Sequence, residues 1–550
     1  MAGRCVVLVT CLVLYSASTP RAQQAALGQI SFPTSATGAA QAAFVRGVLF
    51  LHNFEYDDAI TAFREAQKLS PDFAMAYWGE ALSYTQPIWY NENLPRARAV
   101  LSRLAPTAAA RAAKAPTDRE KGYLDAVEQL FGTGDRLARL RACADRLARL
   151  SAQFPDDDEA RLFQVLMLLG TIPEGARNPD VSLKAGAVAA AVLKKNPKHP
   201  GAAHYVLHAY DDGEHNAMAL DAARIYATLA PASSHAQHMP SHAYLPLGMW
   251  DEAAASDEAA FAASVAWAKR TGRPVSQQDF HSLAWLHYEY LQLGRFAKAR
   301  EAVATVSRAL EETSKARGAP PPAASPAAPA SSGLAPSEIG RGYDLAALRN
   351  ELASMRARAV IEGSDWEQMK GRPSFDNIDE LFALGLSSVA LQDHGRTDAA
   401  IAELRKASST LTDKDVAAVS SIMADELAGL LAIARGQREA GLKTLADAAG
   451  REAARPKPIA RPYPVKPAGE LYAEALFALG NPAASAAEYR RVLQRTPRRP
   501  LALLGLARAA QAAKDLKQAS QAASEFLRIW HAADADRPEL VEARQLAGRR

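Results

Sequence analysis

The sequence predicts an all-α fold, an array of helix–turn–helix units repeated along the chain. Three observations predict it. Apolar residues recur at the spacing of one helix face in stretches of about 12 to 15 residues. Those stretches are rich in Ala, Leu, Glu, Arg and Gln, which are strong helix formers. No sustained alternation of β-branched residues stands between turn signals, so strands are not expected. At 550 residues the chain is several times longer than one hydrophobic core sustains. A repeat array resolves that, because each unit buries its apolar face on its neighbours.

Taken in order, residues 1–24 come first: Met1 to Arg4 make a short basic start and Cys5 to Ser18 an apolar stretch. Small residues at Ser16 to Ser18 complete the layout of a secretory signal peptide, which implies a periplasmic or secreted protein. Cys143 is then the one cysteine outside that segment; it lies on an apolar-periodic stretch and is read as a small core residue. Residues 57–71 run from an aspartate start through an amphipathic helix to a proline stop. Helix pairs are expected near 42–70, 201–230, 233–268, 279–310, 379–411, 424–452, 470–496 and 500–530. Residues 313–338, with Pro320-Pro321-Pro322 and a run of Ala, Ser and Pro, read as a flexible linker. It divides an N-terminal array (40–312) from a C-terminal one (339–535). A helix is expected over 341–363 and a loop over 364–377. No apolar run beyond the first twenty residues is expected to span a bilayer.

The repeat period is visible near the C-terminus. Gly480 is followed by Ser485 and then Pro497, and Ala519 lies 34 residues after Ser485. That period resembles the tetratricopeptide repeat, with Ser485 where the repeat usually carries alanine. The resemblance implies a right-handed superhelix with a concave groove in each half, and a protein or peptide partner as ligand. Tyr56 to Ile60, Phe73 to Glu80, His204 to Asp212, and His238-Met239-Pro240-Ser241-His242 resemble an exported bacterial subgroup of such proteins. That subgroup implies a histidine where this chain has Gln86, and it names no reaction.

Histidine carries the candidate chemistry. Of 12 histidines, His199, His204, His208, His215, His235, His238 and His242 fall within 44 residues. His204 and His208 are four apart, as are His238 and His242, so each pair shares a helix face. The pairs are also 34 residues apart, one repeat period. With Ala219, Ala253 and Ala299 at repeat position 20, His204 and His238 fall at position 5, and His208 and His242 at position 9. His235 and His281 then occupy position 2, and Asp211 and Asp212 positions 12 and 13. These positions face the groove in the repeats this sequence resembles, whereas His287 at position 8 is a packing position.

Three readings are open. His204, His208, His238 and His242 share a site for one or two transition-metal ions (Zn, Cu, Fe or Ni), with His235, His281, Asp211 and Asp212 as further ligands or ligand-orienting groups. Alternatively the groove binds a peptide without metal, or the histidines are scattered over helix faces. The leading expectation is an exported scaffold that docks a partner and carries a metal site in its N-terminal groove. A metal-dependent enzyme, hydrolytic or oxidative, with Asp211 or Asp212 as base, is the alternative. A formal charge of +4, from 64 basic and 60 acidic residues, gives no footprint for nucleic acid. No phosphate loop, dinucleotide fingerprint, haem-attachment motif or nucleophile elbow occurs.

Overall fold

The computed structural model describes residues 27–317, 342–371, 375 and 377–548. Through them run α-helices from Gly38–His52 to Pro538–Gly548, nearly all packed on the next, so the chain is an all-α helical repeat array. The paired stretches expected from sequence are helix hairpins. They comprise Gly38–His52 with Tyr56–Leu69, Pro200–Ala209 with Leu220–Leu229, Ser234–Tyr244 with Trp250–Thr271, and Phe280–Gln292 with Phe296–Arg317. Beyond the linker follow Ile378–Ala390 with His394–Thr410, Lys414–Ala434 with Arg438–Ala453, Ala468–Ala478 with Pro482–Arg495, and Pro500–Ala512 with Leu516–Ile529. Helices from Leu94–Leu104 to Pro179–Lys195 fill the stretch that the repeat register leaves unassigned.

Local chemistry fixes the ends of these helices. Asp135, Asp157, Asn178, Asp279 and Asp515 each accept a backbone N–H of the first turn, and Pro200, Pro482 and Pro500 open helices where no N–H is needed. Small residues let the helices close on one another. Gly47 and Gly79 flank the Phe63 ring so closely that a Cβ at either would come within 2.6 or 2.3 Å of it. Cys143 is buried, and burial pushes its thiol pKa up.

The structure departs from expectation in four places. A two-residue hairpin pairs Thr85–Gln86 with Asn91–Glu92, too short to show an alternating pattern. The helix ending at Arg317 takes in the start of the expected linker, and Thr313 is buried; residues 318–341 lie outside the described residues, as do 1–26 with the expected signal peptide. The loop expected over 364–377 holds a short 3-10 turn at Trp366–Met369. Lys414–Ala434 is long and apolar enough to cross a membrane, with mean hydropathy 1.7 in its most apolar window. Here that composition serves packing: 56% of the window is buried, between the His394–Thr410 and Arg438–Ala453 helices.

The two expected halves share a core. Buried residues from Leu27 to Met355 and from Ala473 to Leu546 form one continuous apolar cluster, while 357–471 carries a second. The last hairpins join the middle of the chain through specific contacts. Trp250 Nε1 donates to the Arg498 carbonyl at 2.9 Å, and Trp530 Nε1 to that of Gln292 at 2.9 Å. Arg499 is the clamp at this junction. Its guanidinium is 1% exposed, lies 2.8 Å from Glu362, pairs with Glu470, and donates to the Tyr288 hydroxyl at 3.1 Å.

Two predictions follow from this packing. Arg499→Leu leaves two buried carboxylates without their cation, so it is expected to cost about 3–5 kcal/mol. Arg508→Ala, which breaks the exposed pair with Glu542, is expected to cost about 1 kcal/mol or less. Urea midpoints of both variants check this. His287 is fully buried, as its packing position predicts, and neither ring nitrogen has a hydrogen-bond partner. Burial, then the Arg461 and Arg358 guanidiniums, hold its pKa down to about 3. Above the ordinary value of 6.5 it is neutral whether folded or unfolded. Between 6.5 and about 3 only the unfolded chain takes the proton, so stability falls on acidification by about 1.4 kcal/mol per pH unit for each such group. His287→Leu is expected to make the fall in urea midpoint from pH 6 to pH 4 shallower; an unchanged slope would contradict it.

Candidate metal centre

The Pro200–Ala209 helix carries His204 and His208, and the next repeat's Ser234–Tyr244 helix brings His235 against them. The same helix carries His238 and His242 one turn further on, and the Phe280–Gln292 helix brings His281 against those. Two triads result, His204/His208/His235 and His238/His242/His281; in each, three ligand atoms lie within 4.8 Å of one another. The four histidines expected to share one site, His204, His208, His238 and His242, are divided between the two triads. Each triad takes positions 5 and 9 of one repeat and position 2 of the next. A first helix meets its successor with that successor's N-terminal end, where position 2 sits, so the ligand unit spans a repeat boundary. The triads are neighbours, because His242 acts electrostatically on both His204 and His208.

Each triad has one imidazole pair in direct contact. His204 Nε2 lies 2.9 Å from His235 Nε2, and His242 Nε2 lies 3.0 Å from His238 Nε2. Hydrogen bonds on the far side settle which nitrogens hold protons. His204 Nδ1 faces the His52 carbonyl at 2.6 Å, which only accepts, so Nδ1 carries the proton and Nε2 accepts from His235. His242 Nδ1–H donates to Asp211 at 2.7 Å, so its Nε2 accepts from His238 Nε2–H. His238 Nδ1 then accepts from Asp257, whose carboxyl is raised well above its ordinary range by burial and so keeps its proton. His208 Nε2 is buried with no hydrogen-bond partner among the described residues.

The environment favours neutral rings. Burial lowers His204 to about 3, partly offset by its bond to the His52 carbonyl, and burial also lowers His208 well below its ordinary value. Burial and then His242 lower His238 to about 3. Neutral imidazole is the form that ligates a metal. Aromatic rings wall both triads. The Phe54 ring stacks on His208 and on His235, with centroids 5.5 and 5.4 Å away, and Trp285 lies 4.5 Å from His242 and 5.0 Å from His238. Phe54 holds a left-handed backbone, φ 57°, at the end of the Gly38–His52 helix, where the Glu55 N–H bonds back to the Phe50 carbonyl at 2.9 Å.

The two aspartates diverge. Asp211 orients His242. Asp212 joins neither triad: its oxygens take the backbone N–H groups of Glu214 and His215 and the His215 ring, because the chain turns sharply at Gly213. Gln86 is buried and accepts from Asn91, while the nearby Trp89 sets its ring edge-on to His235 at 5.2 Å. That loop thus supplies wall.

Sequence reasoning missed His52, Glu159 and Asp257. His52 Nε2 lies 2.7 Å from Glu159, and His199 Nε2 3.3 Å from it, making a third group buried in the fold. Burial alone would raise Glu159; the two histidines bring it instead down to about 2. His199 Nδ1 caps the Pro200 helix, and Gly201 leaves room for the His52 ring, which a Cβ would meet at 2.3 Å. His52 lies more than 100 residues from its partners, so no spacing signal marks it. Asp257, in the second helix of its repeat, has none either.

A small cleft opens from solvent beside the first triad. His235 of the first triad lines it, together with Asp279, the cap of the helix that carries His281. Trp267, Gln277, Gln278 and Ser234 form more of its wall.

No protein-family model matches the chain, and no curated protein matches it. Among solved structures, a chain of the APC/C hetero-tetramer Cut9–Hcn1 is 11% identical, with 94% of this chain and 77% of that one covered and a TM-score of 0.29. The human IFIT1 dimer with m7Gppp-AAAA is 13% identical over 94% of this chain and 95% of that one, with a TM-score of 0.31. The description of this chain as a helical repeat array rests on its own hairpins.

Proposed function

We propose that this chain is an exported helical-repeat scaffold that holds two transition-metal ions, one in each histidine triad. The observation that supports the reading most is the duplicated triad, in which positions 5 and 9 of one repeat meet position 2 of the next. His204 is oriented by a carbonyl and His242 by a carboxylate, each through Nδ1–H, which leaves Nε2 for an ion, and His238 would give up its Nε2 proton to bind one. Two nitrogens bound to one tetrahedral zinc stand about 3.3 Å apart, so the 2.9 and 3.0 Å pairs need to open only slightly. The unpartnered His208 Nε2 completes the donor set of the first triad. Three imidazoles suit Zn, Cu, Fe or Ni. The basic and apolar start of the sequence supports export.

A partner site in the C-terminal hairpins belongs to the same proposal. There Phe477, 38% exposed, lines an open groove of about 700 Å³ with Tyr489, Arg508 and Glu542. An aromatic and arginine lining of that kind suits a protein or peptide partner. A second reading, a metal-dependent hydrolytic or oxidative enzyme, is favoured by the cleft that leads to His235, since a small molecule could reach a ligated ion through it.

Elemental analysis of protein purified without a nickel column tests the proposal. Two equivalents of transition metal are expected per chain. His208→Ala should remove one of them and His242→Ala the other. Loss of all metal in either single variant would restore a single shared site, and no uptake on titration would leave a metal-free scaffold. Asp211→Asn is expected to weaken one of the two ions by about 10- to 100-fold and leave the other unchanged.

A further inference from the structure

Residues 455–467 link the Arg438–Ala453 and Ala468–Ala478 helices without forming helix or strand. The segment reads Arg-Pro-Lys-Pro-Ile-Ala-Arg-Pro-Tyr-Pro-Val-Lys-Pro, with prolines at 456, 458, 462, 464 and 467. Such a run has few N–H groups, and its prolines fix φ near −65°, so it favours an extended backbone that offers carbonyls and ring faces. It does not loop out into solvent: every residue from Lys457 to Pro467 is half-buried or buried.

The surface beneath reads those features. Arg177 donates to the Lys457 carbonyl at 2.5 Å, Arg358 to the Pro462 carbonyl at 2.9 Å, and Arg495 to the carbonyls of Arg455 and Pro456 at 2.8 Å each. Pro458, Ala460 and Pro462 border a cleft of about 280 Å³ whose other wall holds Leu245, Trp250 and Tyr288. Basic side chains complete the match. Lys457 pairs with Glu214 at 2.8 Å, and Arg461 pairs with Glu351 at 2.9 Å. Gly213 is required at one crossing, since a Cβ there would come within 2.8 Å of the Lys457 carbonyl.

Arginine donors for carbonyls, an aromatic and apolar slot for alternate prolines, and acids for basic residues together make a recognition surface for a proline-rich peptide. We propose that this surface is a binding site for proline-rich, basic peptide segments, occupied in cis by the chain's own 455–467 strap, and that a partner segment of the same chemistry binds by displacing it. The strap runs past Asp212 and Gly213, next to the Asp211 that orients His242, and Arg461 reaches the Ala284 carbonyl one turn from His281. A partner that displaces the strap therefore uncovers one flank of the second histidine triad. The site itself needs no metal, so its test is independent of metal binding.

The experiment is a competition on the full chain, with a spin label at Ile459→Cys and with Cys5 and Cys11 replaced by serine; Cys143 is buried and stays unlabelled. A free peptide of residues 455–467 competes against a tethered copy whose effective concentration is about millimolar, so mobilisation of the label should be half complete near that range. The same peptide with its five prolines changed to alanine should have no effect. Lys457→Glu, which reverses one anchor, should lower the peptide concentration needed by about 3- to 10-fold, the size of one partly exposed charge contact. Three results would each overturn the proposal: a label already mobile without peptide, no mobilisation in either protein at about ten times the effective concentration, or equal mobilisation by the alanine peptide.

Discussion

Six imidazoles line one wall in this protein, and burial holds His204, His208, His238 and His281 below their ordinary pKa. Charging a fully buried imidazole without a counter-ion means removing an ion from water, and the low pKa values of His204 and His238 are the measure of that penalty. Much of the neighbourhood follows from it. A backbone carbonyl rather than a carboxylate holds His204. Asp257 keeps its proton beside His238, and Glu289 next to it is raised by burial and by Asp257. Only at the slightly exposed edge, where Asp211 meets His242, does an acid with some access to solvent orient a ring. The wall of Phe54, Trp89 and Trp285 that excludes water also holds the rings in the geometry of ligands.

The fold was largely legible because helix-forming composition, apolar spacing and proline stops are local signals. All eight expected hairpins are helical. The 34-residue interval between the two histidine pairs was equally legible, and it selects residues that do lie together. Their grouping was not. The sequence interval suggests that equal positions in successive repeats meet. In the structure, position 2 of the following repeat closes each set, a consequence of how far one first helix slides along the next. His52, Glu159 and Asp257 were invisible for another reason. Each acts across a large or irregular separation, and a lone buried histidine or acid looks the same in sequence whether it supports a site or a core. Asp211 and Asp212 show the limit at its sharpest: they are adjacent in sequence, yet one turn at Gly213 sends them to different partners.

The proline-rich strap and the histidine triads are built by opposite means. The triads come from helices, whose regular rise fixes side chains at repeating positions. The strap has no regular backbone bonding of its own and takes its order from arginines on other elements. Rigid helices therefore carry the chemistry that needs fixed distances, and the part able to exchange with another molecule is the part with the least structure of its own.

The Arg499 clamp changes the kind of object this chain is. An open solenoid behaves as a row of neighbours, in which an end unit can unravel while the middle stays intact. Here the final hairpins touch residues 246–296, so the last units in sequence also have neighbours from the middle of the chain. Fraying from the C-terminus is thereby tied to the Phe280–Gln292 helix, which also carries His281. Loss of the tail would be felt at the histidine wall, and whatever stiffens that wall would in turn hold the tail.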